Sequence, residues 1–509
     1  MVEGPIHRSL PNEKGATIIS EHSSADHPVM VADTELHAGA LRLPGVLMQG
    51  LTHMAPATGL LFTIQFTTSQ AGIVAPLAYL AAFPIVLVLG VCLMQMATHL
   101  PSAGGYYTYI SRTVDPRVGF LAAWLYFLYD PMLAGFILAY IGSVLEQALK
   151  AAYGVTFPWW LFLLLAGSFV GFVTYRGIKA SAKWMVFLGA AGVAIALVLS
   201  LWGFLRPGAG GINFAAFNPA NTSSRSGLYL AVVFSIFAFN GWESVTPLAE
   251  ESENPRQNLP RAILISILVM AVFLVLGSWG LLVGWGTDKL PGFINSRENP
   301  TFVLAREYWG GAWVIVLLAL LNSVIAAAIA GNTAATRVWF AMARSGSLPR
   351  AFARVHPKYK TPVNGVKLQI LLTFAVGWGL GWWIGPEKEF EFMGTLLTFA
   401  LILIFTAANL GVFLYYFRER RDEFHTVLHA IFPLLGTLAL FFVAFNSLRP
   451  LPPPPIRYTP WVLAIWLALG LLVLLVMKLA GKEDWLIKAG RIAQERVETA
   501  EEASHRSLL

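Results

Sequence analysis

Apolar stretches long enough to cross a bilayer recur almost from one end of the chain to the other, each closed by a short polar or basic connector. A membrane helix needs about 20 consecutive, mostly apolar residues. The pattern yields twelve such stretches, near 44–70, 76–98, 118–148, 158–175, 183–205, 226–249, 260–286, 312–343, 365–385, 389–416, 428–448 and 459–480. The predicted fold class is an all-α polytopic membrane protein. Pro450 and the run Pro452 to Pro455 read as a stiff extended connector between the last two stretches. The first 43 residues are polar and carry no apolar core of signal-peptide type, so they are expected to form a disordered cytoplasmic segment. Residues 481–509 are expected to form a cytoplasmic tail.

Two stretches are interrupted where a membrane helix should be continuous. In the sixth, Phe-Ala-Phe-Asn-Gly-Trp-Glu (237–243) puts polar residues, a glycine and an acid in the middle of an apolar run. Backbone inside hydrocarbon must satisfy its own N–H and C=O groups, so a break is tolerated only where it is buried in protein or lines a cavity. A carboxylate at Glu243 adds roughly 2.5 kcal/mol or more on insertion scales. In the first stretch, Leu51-Thr-His-Met-Ala-Pro-Ala-Thr-Gly-Leu60 contains a proline that lacks an N–H and clashes with the carbonyl four residues back, so the helix should open near Ala55 to Gly59. The breaks lie five stretches apart. Transporters built from two inverted repeats place their site at such paired breaks near the midplane. On this reading 44–205 and 226–416 are the two repeats, with 428–480 appended; the alternative is a pair of ordinary glycine and proline kinks.

Composition agrees with the class: 56% of residues are hydrophobic and 12% charged, against about a quarter charged in a soluble domain. With the N-terminus inside, cytoplasmic segments hold 25 Lys and Arg and outer loops hold 9, so the bias puts both termini in the cytoplasm of a cell-membrane protein. The net charge of +7 therefore needs no nucleic-acid partner; basic loops such as Arg344 to Lys367 set orientation and meet anionic lipid. Between Lys482 and Ala503, apolar Trp485, Leu486, Ile487, Ile492 and Val497 alternate with charges, which fits either an amphipathic surface helix or a frayed tail. The single cysteine, Cys92, excludes an internal disulfide, and the ten histidines show no metal-ligand spacing. No phosphate-loop, His-Glu-x-x-His or Gly-x-Ser-x-Gly sequence occurs. Neither a cofactor nor a catalytic residue is called for, and an enzyme is not indicated.

Three stretches carry a resemblance to the amino acid–polyamine–organocation superfamily of permeases. They are Leu100-Pro-Ser-Ala-Gly-Gly-Tyr-Tyr-Thr-Tyr109 with Asp115-Pro-Arg-Val-Gly-Phe120, the segment from Phe237 to Arg256, and Ala341-Met-Ala-Arg-Ser-Gly-Ser-Leu-Pro349 with Thr361-Pro362. The resemblance implies a five-plus-five inverted-repeat core with broken first and sixth helices. It further implies that Ala57, Thr58 and Gly59 receive a substrate carboxylate on freed amides, and that Ala238, Phe239 and Asn240 receive the amino group on freed carbonyls. Phe237 falls where the family has an aromatic lid, and Gly241 is the pivot. Each has an ordinary rival: Phe237 as one of 34 phenylalanines in packing, Thr58 as a helix residue bonding its own backbone. Tyr106 or Tyr107 is a candidate for an inner gate, although the Pro-Ser-Ala-Gly-Gly stretch reads first as a tight turn.

Glu243 is the candidate coupling residue, because a buried carboxyl group that is alternately wetted and closed off can exchange a proton. Some proton-coupled relatives hold a lysine in the middle of the fifth span; here Leu188-Gly-Ala-Ala-Gly-Val193 has none, so the coupling ion, proton or sodium, is open. Asp130, inside the third span, is a site candidate that would make the cavity electronegative, or else a partner for a basic residue nearer the cytoplasm. Glu250, Glu251 and Glu253 can meet Arg337 and Arg344 as a latch, or simply end a helix in a solvated loop. The predicted function is secondary active transport of an amino acid by alternating access. A polyamine or cationic amino acid carrier or exchanger is the alternative, and a transporter-like nutrient receptor a lesser one.

Overall fold

The computed structural model describes residues 36–296 and 298–481. Eighteen helices run through them: α1 (Leu43–His53), α2 (Pro56–Leu61), α3 (Thr63–Ala71), α4 (Ala75–His99), α5 (Tyr106–Thr113), α6 (Pro116–Tyr126), α7 (Asp130–Tyr153), α8 (Trp159–Tyr175), α9 (Ile178–Leu205), α10 (Arg225–Phe239), α11 (Pro255–Trp285), α12 (Leu290–Ile294), α13 (Pro300–Trp309), α14 (Val314–Arg344), α15 (Val363–Ile384), α16 (Pro386–Arg418), α17 (Phe432–Ser447) and α18 (Thr459–Leu479). Among the described residues ten helical runs are long and apolar enough to cross a membrane, and Trp159–Tyr175 is a shorter apolar helix beside them. The expected tail helix between Lys482 and Ala503 and most of the N-terminal segment lie outside the described residues.

Local chemistry sets the breaks. Pro56 occupies the first turn of α2, and the residue before it, Ala55, takes the left-handed conformation at φ 48°, which separates α2 from α1. The sixth span stops at Phe239; Asn240 is extended, Gly241 has φ 127°, and the chain resumes as a tight 3-10 helix, Trp242–Glu251. Gly241 has no alternative: a Cβ there would lie 2.5 Å from the Met54 nitrogen and 2.7 Å from the His53 carbonyl carbon. The two breaks are thus packed backbone against backbone.

A third break divides the span expected as one helix over 118–148. α6 ends at Tyr126, Tyr129 sits at φ −99°, ψ −106°, and α7 begins at Asp130 with Pro131 in its first turn. Here the apolar pattern is continuous through Trp124 to Tyr129, so hydropathy alone reads straight across; Pro131, with no N–H to give, is the local cause.

Packing gathers these breaks around one helix. α14 is buried on almost all sides through the run from Ala326 to Ala330, where Ala326, Ala327, Ala328 and Ala330, with Gly331 next, are small residues that admit close neighbours. It packs against α1, α7, α8 and α9. α1 packs on the 3-10 helix of the sixth span, α3 on α10, α4 on α11, α7 on α14 and α8 on α15. α17 and α18 lie at the periphery, with 28% and 6% of their apolar windows buried in protein.

Candidate functional site

The opened ends of α2 and α10 face one enclosed cavity of about 40 Å³, lined among others by Thr58, Gly59, Phe237, Ala238, Asn240 and Tyr129. Gly59 holds the walls together, since a Cβ would meet the Met54 and Ala238 carbonyl oxygens at 3.3 and 3.4 Å. The Thr58 hydroxyl and both side-chain polar atoms of Asn240 are buried here without a hydrogen-bond partner. Buried polar groups are normally paired, because an unmet donor or acceptor costs about 1–3 kcal/mol. Such atoms gathered on one cavity wall, with the two His53 ring nitrogens also lacking a hydrogen-bond partner, mark a place built to bond something polar. The Thr58 N–H itself lies 3.4 Å from the Ser323 hydroxyl oxygen on α14.

His53 forms part of this cavity's wall, and Asp130 and Glu243 stand behind it. His53, in the last turn of α1, places Nε2 3.1 Å from Asp130 Oδ1, both side chains being essentially inaccessible. The second Asp130 oxygen accepts the Tyr126 hydroxyl hydrogen. Asp130 also stands in the first turn of α7, where the positive end of the helix dipole favours an anion. The Glu243 carboxylate accepts the Gly241 N–H at 3.0 and 3.2 Å, and His53, Asp130 and Tyr129 are its charged and polar neighbours. Asp130 and Glu243 line a second, smaller space of about 10 Å³ with Tyr106, Tyr107, Tyr126 and Ser244.

The two sides of the site are closed differently. On one side Phe237 meets Phe390, whose ring stacks on Tyr140 at 4.3 Å, and Tyr140 meets Phe62 at 4.9 Å. Beyond this aromatic layer opens a vestibule of about 360 Å³ bordered by Gln65, Gln147, Glu387 and Glu391. The other side is sealed in depth. Tyr107 bonds Ser345 at 3.0 Å and also Ser347. Arg337 grips Glu251 through Nε and Nη2 at 3.0 and 3.3 Å with both residues buried, and Arg344 pairs with Glu250. Gln49 of α1 donates to the Ala330 carbonyl at 3.0 Å.

Of the site residues expected from sequence, Thr58, Gly59, Phe237, Ala238 and Asn240 line the cavity. Ala57, Phe239 and Gly241 are buried around it without forming its wall. Asp130 stands one layer behind, with Glu243 on the smaller space, because the third break starts α7 there. Sequence reasoning missed His53, Tyr129, Tyr140 and Phe390. His53 had one available signal: it lies just before Pro56 in a stretch already expected to open.

A family model described as amino acid permease matches residues 45–448. The chain is similar to the low-affinity putrescine importer PlaP of Escherichia coli (strain K12), with 25% identity over 453 residues, covering 85% of this chain and 92% of that protein. It is similar to the lysine-specific permease LysP of Lactococcus lactis subsp. cremoris (strain MG1363), with 26% identity over 456 residues and coverage of 84% and 85%. The serine/threonine exchanger SteT of Bacillus subtilis (strain 168) is 24% identical over 368 residues, 70% of this chain and 79% of its own length.

Proposed function

The chain belongs to the amino acid permease family and is a multi-pass membrane transporter, not an enzyme, and from that premise we propose that the cavity between the two helix breaks is the substrate site of a proton-coupled carrier. The observation that carries this reading is the convergence of the unpaired Thr58 and Asn240 groups on one buried space, with His53 in its wall and Asp130 and Glu243 directly behind. The substrate's carboxylate and amino group are recognised at Thr58 to Gly59 and at Ala238 to Asn240. Phe237, with Phe390 and Tyr140, forms the lid. Packing of each of the first four spans on the span five places further on supports a five-plus-five inverted repeat.

Coupling falls to the buried ionisable layer. A proton arriving at Glu243 changes the charge held between the two breaks, and such a charge in a low-dielectric setting biases which breaks stay closed. The excess of Lys and Arg on the Tyr107 side of the chain supports the sealed side as cytoplasmic, with both termini there. A second reading, transport of a polyamine or a cationic amino acid, is favoured by one specific feature: two carboxylates and one imidazole are gathered at the site, and Glu387 and Glu391 border the vestibule leading to it. The relatives named as putrescine importer and lysine permease agree with that second reading.

The test is uptake into liposomes holding purified protein, with neutral, acidic and basic amino acids and putrescine, with and without an inward proton gradient, for wild type and Glu243→Gln. Gradient-driven accumulation of one class is expected in the wild type. Glu243→Gln should abolish accumulation while leaving substrate counterflow. If wild-type accumulation ignores the proton gradient, proton coupling is wrong; if no substrate on the panel is moved, the site assignment fails.

A further inference from the structure

Away from the transport pathway, the turn between α8 and α9 and the loop between α14 and α15 meet around a cavity of about 540 Å³. Gly177 lets them meet: at φ 89° it brings the Tyr359 carbonyl oxygen and the Thr361 hydroxyl to within 2.6 and 2.8 Å of where a Cβ would stand. The loop is held in shape by His356, whose Nδ1 accepts the N–H groups of Lys358 and Tyr359 at 3.1 and 3.2 Å and whose ring stacks on Tyr359 at 4.6 Å.

Three cations border this cavity, Arg176, Lys179 and Lys358, and its lining contains no Asp or Glu. Among the described residues none of the three has a carboxylate within ion-pair distance, whereas Arg337, Arg344, Arg306 and Arg112 all do. Arg176 lies over the Phe172 ring at 4.9 Å and Lys358 over Tyr359 at 5.7 Å, so aromatic faces position the charges without neutralising them. The cavity also has an apolar wall. Phe172 and Trp184 line it and are 54% and 40% exposed, and Phe187, one turn along α9, is 69% exposed, all on apolar helices.

We infer that this cavity binds one anionic phospholipid, its phosphate headgroup held by Arg176, Lys179 and Lys358 and its acyl chains lying along Phe172, Trp184 and Phe187. Unpaired cations beside a lipid-facing aromatic wall match both halves of such a molecule, and basic pockets between membrane helices are recognised lipid sites. A soluble anion would use only the cations and leave the apolar wall unexplained. The site is independent of the substrate cavity, so it stands or falls apart from the transport reading.

Native mass spectrometry of the full-length protein, titrated with phosphatidylglycerol or with phosphatidylcholine of the same chains, tests this. One phosphatidylglycerol should be retained and phosphatidylcholine should not. Arg176→Gln/Lys179→Gln/Lys358→Gln should weaken retention on the order of 100-fold, from about one kcal/mol per basic residue. The charge-keeping variant Arg176→Lys/Lys179→Arg/Lys358→Arg should still retain the lipid, which separates lost binding from lost folding. Equal retention of both lipids, an unaffected triple glutamine variant, or displacement of the bound lipid by inorganic phosphate alone would each overturn the assignment.

Discussion

At the scale of single residues, the site's unusual content is polarity without partners and charge without water. Thr58 and Asn240 point unbonded groups at the cavity, so, on the proposed assignment of the site, truncating either removes substrate contacts while leaving the fold's own hydrogen bonds intact. Thr58→Ala and Asn240→Ala should each raise KM for uptake by about 10-fold or more, at roughly 1.5–3 kcal/mol for a hydrogen bond to a charged group; a concentration series in liposomes reads this directly. An unchanged KM would return both to packing. His53 and Asp130 behave otherwise because they face each other at 3.1 Å with both side chains buried. Removing one partner of a buried pair strands the other, a loss on the order of 3–5 kcal/mol, while removing both is far cheaper. Asp130→Asn should therefore lower thermal stability in detergent more than His53→Gln/Asp130→Asn does. A double variant no more stable than Asp130→Asn would mean the contact is incidental.

At the scale of helices, the breaks are the functional elements, and backbone sterics can be used to probe them. Gly241 stands at φ 127° with the Met54 nitrogen 2.5 Å from any added Cβ, so Gly241→Ala should push the two breaks apart and abolish uptake, although the protein still inserts. Ala55 is the counter-example: at φ 48° it carries the left-handed penalty of roughly 1–2 kcal/mol, which glycine relieves. Ala55→Gly should keep transport and melt no lower than wild type. The same elements show what a sequence makes legible. The first and sixth breaks were readable because Pro56 and the Asn-Gly-Trp-Glu run violate hydrocarbon chemistry locally, and Asp130 and Glu243 because a buried carboxylate is costly wherever it lies. The third break was not, since residues 124–129 are uniformly apolar and Pro131 falls where a new helix also tolerates it. His53 escaped because a lone histidine has no periodicity; only folding brings it against Asp130 and Glu243. Phe390 and Tyr140 escaped because aromatic rings over a cavity are chemically the same as aromatic core.

At the scale of the whole molecule, the asymmetry between the two sides is a statement about conformational equilibrium. A single aromatic layer separates the cavity from the vestibule, whereas Tyr107, Arg337–Glu251 and Arg344–Glu250 close the opposite side in successive contacts. Alternating access requires that those contacts be made in one state and released in the other, so weakening them should shift the population toward the state open on that side. The partly buried Arg344–Glu250 pair is the better lever than Arg337–Glu251, whose full burial would confuse gating with folding. Cys92 is the chain's only cysteine, so Cys92→Ala provides a clean background, and Ser244→Cys then reports on the small space behind the seal. Arg344→Gln should raise the labelling rate at that position by about tenfold, the effect of a ~1.4 kcal/mol shift. Glu250→Arg/Arg344→Glu should bring labelling back toward wild type, because exchanging the charges rebuilds the pair across the same elements. Labelling that stays slow in Arg344→Gln would show that the seal rests on Tyr107 and the apolar packing alone, and would leave the charged pair as a helix-end contact.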